Sequence, residues 1–183
     1  MRPEFCVGLE IRRAGKGRGD GLFLAEAAVA DDRVLSFGGP QLGRAQYESF
    51  EDFEHCLQIG VDEFLGPSGE LDDFANHCCE PSTRVEIERK WSRAYLVARH
   101  DLRPGAEVTF DYSSVQLRDS RFRIEACRCG ADTCRGMIGD FSLLDWHDKE
   151  RLVLQGLCPW YVVEAFLAES ASKGITLPAP PQR

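Results

Sequence analysis

No run of apolar residues in this chain approaches the ~20 that a bilayer-spanning helix needs. The opening Met1-Arg2-Pro3-Glu4-Phe5 also lacks the apolar stretch of a secretory leader, so a soluble, intracellular protein is expected. Positive charge is in deficit, with 22 Lys and Arg against 30 Asp and Glu and a formal charge of -8. Recognition of nucleic acid through its phosphates draws on a positive surface, so direct nucleic-acid binding is not expected. An acidic surface suits basic peptides, although solubility alone explains an acidic chain more simply. Helical periodicity is scarce before the last third, internal repeats are absent, and no βαβ rhythm is visible, which excludes a parallel α/β architecture.

Short alternating segments are plentiful instead. Val7, Leu9 and Ile11 predict a strand over Phe5–Ile11. Leu22–Ala25 and Arg33–Phe37 follow as strands, the second ending at Gly38-Gly39-Pro40. The polar stretch 41–56, with Tyr47, Phe50 and Phe53, reads as a short helix or irregular insert. Strands are further expected over 57–61, as a pair over 85–88 and 94–98, and over Glu107–Tyr112. Residues 143–170 carry a helical period broken near Gly156-Leu157-Cys158-Pro159, and the three prolines of 177–183 predict a disordered end. The length fits one domain with a small appended unit.

Cysteine is the residue in surplus. Without a leader, the eight cysteines read as thiols or metal ligands rather than disulfides. Cys127-Arg128-Cys129 and Cys134 form C-x-C-x4-C, with Gly130 and Gly136 allowing tight turns, and supply three of the four ligands a tetrahedral zinc takes. The fourth must come from elsewhere, and the pair Cys78-Cys79 in Asn76-His77-Cys78-Cys79-Glu80-Pro81 is the best candidate. A redox-active C-x-C pair would leave Cys134 and the glycines without a role. Cys6, Cys56 and Cys158 read as buried thiols acting as small hydrophobes.

Taken in order, Gly19-Asp20-Gly21-Leu22-Phe23, Asn76-His77-Cys78-Cys79-Glu80-Pro81, Gly105 to Tyr112 and the cysteines 127–134 resemble the SET-domain protein lysine methyltransferases with a post-SET zinc motif. The resemblance covers roughly residues 5–140. It implies a mainly β fold of several small sheets with a knot-like C-terminal segment, a post-SET zinc loop and a short helical C-terminal extension. The corresponding division is a SET domain at 5–113, a zinc segment at 114–140, an extension at 141–176 and a disordered tail at 177–183. The family motif places its cysteine two residues before the proline, so Cys79 is implied as the fourth zinc ligand beside Cys127, Cys129 and Cys134, with Cys78 a small packing residue. S-adenosylmethionine is implied to lie between Gly19-Asp20-Gly21 and Asn76-His77, in contact with Tyr112. Met137, Ile138 or Phe141 is the candidate for its flat apolar contact.

The implied reaction is methyl transfer to the ε-amine of a lysine in a basic protein such as a histone, which would place the protein in the cytoplasm, or in its own or a host's nucleus. Tyr112 is the implied active-site tyrosine. Phe110 and Phe37 line the lysine channel, with Phe110 favouring di- or trimethylation. Three positions depart from the family pattern: Phe37-Gly38-Gly39 in place of Tyr-x-Gly, Asp73 where Arg is common, and Ser82 where Asn is usual. They leave open an inactive zinc module that binds a protein partner. A non-protein amine is the other acceptor the same channel would admit. No cysteine-rich segment precedes the domain, so the chain is similar to compact, free-standing bacterial or viral members. Its extension is expected to pack on the domain in preference to forming a dimer surface.

Overall fold

The computed structural model describes residues 3–15, 17–118, 121 and 123–176; the tail 177–183 expected to be disordered lies outside them, as does Lys16 of the glycine-rich loop. In chain order the strands are β1 Glu4–Phe5, β2 Leu9–Arg13, β3 Asp20–Leu24, β4 Arg33–Ser36, β5 Gln41–Gly43, β6 Leu57–Gln58 and β7 Glu63–Leu65. They continue with β8 Asn76–His77, β9 Thr83–Glu88, β10 Arg93–Ala98 and β11 Thr109–Phe110. Helix α1 spans Arg44–Ser49, α2 Trp146–Leu154 and α3 Trp160–Ser172.

The strands make four small sheets: β1-β4-β10-β9, the hairpin β2-β3, β5-β7-β6, and the parallel pair β8-β11. The mainly β character and the hairpin β9-β10 agree with the pattern read from the sequence. Three strands are markedly shorter than expected, and of 57–61 only Leu57–Gln58 forms a strand, β6. The segment Phe5–Ile11 is broken, because β1 joins β4 while β2 pairs with β3 in another sheet. The run Glu107–Tyr112 forms a ladder only at β11, since its parallel partner β8 offers two residues, and a 3-10 turn begins at Tyr112. The insert 41–56 carries α1, whose Tyr47 stacks on Phe64 with ring centroids 4.0 Å apart.

One core gathers Leu22, Leu24, Leu35, Leu96, Val108 and Phe110 from three of the sheets. Burying a side chain of this size contributes about 1.5–3 kcal/mol. A second core fastens the extension: Leu152, Tyr161 and Phe166 pack with Leu117 and Phe141. Tyr161 Oη–H donates to the Gln58 and Val115 carbonyls at 2.9 and 2.6 Å, so α3 is tied to the domain by buried polar contacts as well as by area. The extension thus packs within the chain. Its helices are separated where Gly156 takes φ +66°, and Pro159 caps the start of α3. Among the described residues no helix is long and apolar enough to cross a membrane. Cys56 is buried as expected and Cys158 half-buried, but Cys6, in the gap between β1 and β2, is exposed.

Candidate functional site

Pairing of β8 with β11 sets the site. It lays Asn76 beside Thr109 and His77 beside Phe110, and brings the end of β11 against the chain leading to Cys79. Ser82 locks this junction: its Oγ donates to the Glu107 carbonyl at 2.7 Å and accepts from Thr109 N–H at 2.9 Å. Asp73 closes the preceding turn by accepting from Ser68 N–H at 3.0 Å and Gly69 N–H at 2.7 Å. Both departures from the family pattern therefore have local hydrogen-bonding roles. The third, Phe37, is buried with its ring edge-on to Phe110 at 5.9 Å.

A cavity of about 820 Å³ opens beside β8, between Arg18 and Asp20 on one side and Arg128 and Cys129 on the other. This lies within the roughly 300–1,000 Å³ of small-molecule sites. Asn76, His77 and Tyr112 line it, whereas Gly19 and Gly21 do not. Gly21 acts from behind: a Cβ there would fall 2.7 Å from Asn76 Nδ2 and 2.9 Å from Glu107 Oε1. That closeness is what lets Asn76 Nδ2 donate to the Asp20 carbonyl at 3.0 Å and to Glu107 Oε1 at 3.1 Å. Glu107 is held in turn by both guanidinium nitrogens of Arg18, at 2.9 and 2.6 Å. With both amide protons engaged, the group Asn76 has left for a ligand is its carbonyl oxygen, an acceptor.

Apolar contact in this cavity comes from Ile138, one of the three candidates, and from Ile124 and Phe74. Ile124 and Ile138 face each other through reciprocal backbone hydrogen bonds of 3.0 and 2.9 Å, which close the neck of the cysteine loop. Phe141 belongs instead to the core under the extension, edge-on to Phe166, and Met137 does not line the cavity.

A narrow second cavity of about 50 Å³ meets the first at Tyr112 and is walled by Phe37, Phe110, Leu65 and Val115. The ring of Tyr112 lies 4.7 Å from that of Phe110, and its hydroxyl donates to the Ala75 carbonyl at 2.9 Å. Burial holds this phenol well above its ordinary pKa, with Glu107 adding to the effect, so it stays protonated at neutral pH. Glu54, His55 and Asp73 line both cavities, giving their shared rim acidic groups.

The cysteines converge as the spacing requires. Donor atoms of His77, Cys79, Cys127 and Cys129 all lie within 4.8 Å of one another, and Cys134 stands beside Cys127 and Cys129 outside that four-way group. Tetrahedral zinc–thiolate geometry needs sulfurs about 3.8 Å apart, so the cluster fits that ion. Backbone donors also suit thiolates: Arg135 N–H reaches Cys79 Sγ and Gly136 N–H reaches Cys134 Sγ, both at 3.5 Å. Burial raises Cys129, yet N–H donors from Cys79 and Ala131, with contacts from Cys127 and Cys134, outweigh it and bring its pKa to about 6. Burial pushes Cys127 up to about 12, so full deprotonation of the group calls for a dication. Cys78 is half-buried against Cys129 and, like Cys134, outside the four-way group.

Two connections run from this cluster to Tyr112, and neither was expected. Arg135, next to Cys134, clamps both carboxylate oxygens of Asp111 at 2.7 and 2.6 Å, with the two side chains 6% and 0% exposed. His77, whose imidazole is buried, accepts Tyr112 N–H on Nδ1 at 3.2 Å, and its Nε2 lies 3.3 Å from Cys79 Sγ. Burial lowers the His77 pKa to about 4 despite the nearby Asp111 carboxylate, so the ring is neutral at pH 7.

Residues 19–113 match the family model for the SET domain. The mouse histone-lysine N-methyltransferase, H3 lysine-36 specific, is 37% identical over 105 residues, which cover 52% of this chain and 4% of that protein. The histone-lysine N-methyltransferase ASHH2 of Arabidopsis thaliana is 31% identical over 148 residues, covering 73% of this chain and 8% of that protein. SUV39H2 of Xenopus tropicalis, also a histone-lysine N-methyltransferase, is 30% identical over 156 residues, covering 70% of this chain and 38% of that protein. The chain therefore spans only a small part of the relatives it matches.

Proposed function

Because the chain belongs to the SET-domain family, we propose that it is an S-adenosylmethionine-dependent protein-lysine N-methyltransferase acting on a basic protein such as a histone. The observation that carries this reading is the meeting of a ligand-sized cavity and a narrow one at Tyr112. The division of labour that goes with it is a catalytic unit at 5–113, a zinc segment at 114–140 and a supporting extension at 141–176.

S-adenosylmethionine, when bound, supplies a methyl group on a sulfonium. The residues of the larger cavity fit such a group, offering an acceptor at Asn76, charged side chains at Arg18 and Asp20, and apolar surface at Ile124 and Ile138. The acceptor suits the cofactor's ammonium. Cys79, Cys127, Cys129 and Cys134 would hold one structural zinc, and two of them, Cys127 and Cys129, line this cavity.

The substrate lysine enters the narrow cavity walled by Phe37 and Phe110, where desolvation disfavours its ammonium form. At pH 7 removing that proton costs about 4–5 kcal/mol for a free lysine, and the apolar walls reduce the cost. Tyr112 stays protonated and orients the amine; it does not act as the base. The acidic rim at Glu54 and Asp73 favours a basic peptide.

Calorimetry on the zinc-loaded protein tests the cofactor site first. One-site binding of S-adenosylmethionine is expected, weakened at least tenfold by Asn76→Ala; no binding by folded, zinc-replete protein would refute the reading. The Phe37 and Phe110 walls hold no hydroxyl to fix a water molecule, so di- and trimethyl-lysine are the expected products. A mass spectrum showing monomethyl-lysine alone would remove that assignment.

A further inference from the structure

We propose that His77 is a positioning residue, held as its Nε2–H tautomer between Cys79 Sγ and the backbone of Tyr112, so that the placement of Tyr112 depends on the metal-bound thiolate. The geometry allows few alternatives. A backbone N–H can only donate, so the Tyr112 N–H contact at 3.2 Å makes Nδ1 an acceptor. The one ring proton of a neutral imidazole must then sit on Nε2, and the atom 3.3 Å from it is Cys79 Sγ, which is 0% exposed at the residue level. A thiolate is the better acceptor for that proton, and a metal ion is what keeps Cys79 a thiolate.

The ring has little freedom to turn. It is 5% exposed, its Nδ1 lies 3.6 Å from Asp111 Oδ1, and its centroid is 5.4 Å from that of the Tyr112 ring with the planes inclined at 66°. The strand pair β8-β11 fixes its backbone, because His77 is in register with Phe110. A displacement of Cys79 is therefore passed through one rigid imidazole to the N–H of Tyr112, which lines both cavities. Arg135 and Asp111 form a parallel link from Cys134 to the residue before Tyr112, which explains why two neighbouring positions feel the same loop.

The importance given to Tyr112 rests on the methyltransferase reading, but the hydrogen-bond chain does not, and both tests below are independent of methyl transfer. The first is nitrogen-15 NMR of the full, zinc-loaded chain labelled at histidine. The expected His77 signals are a protonated Nε2 and an unprotonated Nδ1. The reverse tautomer, or an Nε2 with the signature of a metal-bound nitrogen, would overturn the proposal.

The second replaces zinc with cobalt(II) and compares the unaltered chain with His77→Asn, whose shorter amide can still accept from Tyr112 N–H but does not reach Cys79. One cobalt is expected to bind in both, with the thiolate-to-cobalt band at lower energy in the variant because its sulfur has lost an N–H donor. An unchanged band would reduce His77 to packing. Should the variant fail to fold, the NMR result on the unaltered chain decides.

Discussion

Arg135→Met is expected to lower the stability of the zinc-loaded protein by about 3–5 kcal/mol, the usual cost of removing one partner from a buried ion pair. The large figure follows from what stays behind. Asp111 is 1% exposed, and without the guanidinium its carboxylate keeps only the N–H of Ser113 at 3.1 Å and the distant His77 ring. Water cannot replace the lost donors at that depth, whereas an exposed pair such as Arg89 and Glu164 would cost under about 1 kcal/mol to remove. Urea unfolding at pH 7 with zinc retained measures the loss. Combining Arg135→Met with Asp111→Asn should destabilise by clearly less than the sum of the two single changes, because the second substitution removes the stranded charge. A single-variant loss below 1 kcal/mol would mean that solvent enters this region and that the link between the cysteine loop and Tyr112 is loose.

The sequence made local features visible and hid long-range ones. The hairpin β9-β10 was readable because its alternation and its turn lie within sixteen residues, Thr83 to Ala98. The thiols were readable because three of the four proposed ligands share one loop. Glu107 carried no such signal: it looks like an ordinary surface residue of a strand, and only the fold brings it to Arg18, 89 residues away, and to Asn76.

Arg135 was equally silent, since an arginine beside a metal loop is usually solvated. Its partner Asp111 sits 24 residues back, in a segment whose alternation of Val108, Phe110 and Tyr112 suggested a longer strand. Burial does not follow that alternation, since Thr109 and Asp111 are buried as well as Val108 and Phe110, and a ladder also needs a partner of equal length, whereas β8 ends after two residues. His77 was assigned to the cofactor cavity, which it lines. Its second contact, with Cys79 two residues on, becomes visible only once the tight path of the chain between them is known.

Tyr112→Phe is expected to reduce methyl transfer by at least about 100-fold, the loss typical of deleting one preorganised hydrogen-bonding group at a reacting centre. Structurally the change is small. The phenol donates to the Ala75 carbonyl at 2.9 Å, and losing a hydrogen bond of this kind should lower stability by about 0.5–1.5 kcal/mol. The ring contacts with Phe110 and His77 remain. Zinc content and S-adenosylmethionine affinity should therefore stay within twofold of the unaltered protein while transfer of labelled methyl groups to core histones collapses. That separation carries the argument, because Tyr112 lines both cavities and its hydroxyl is expected to act on the approach of amine to methyl rather than on the binding of either ligand alone. A parallel fall in cofactor binding would show that the hydroxyl itself holds the cofactor, and turnover at the unaltered rate would show that the narrow cavity is not the path of the lysine.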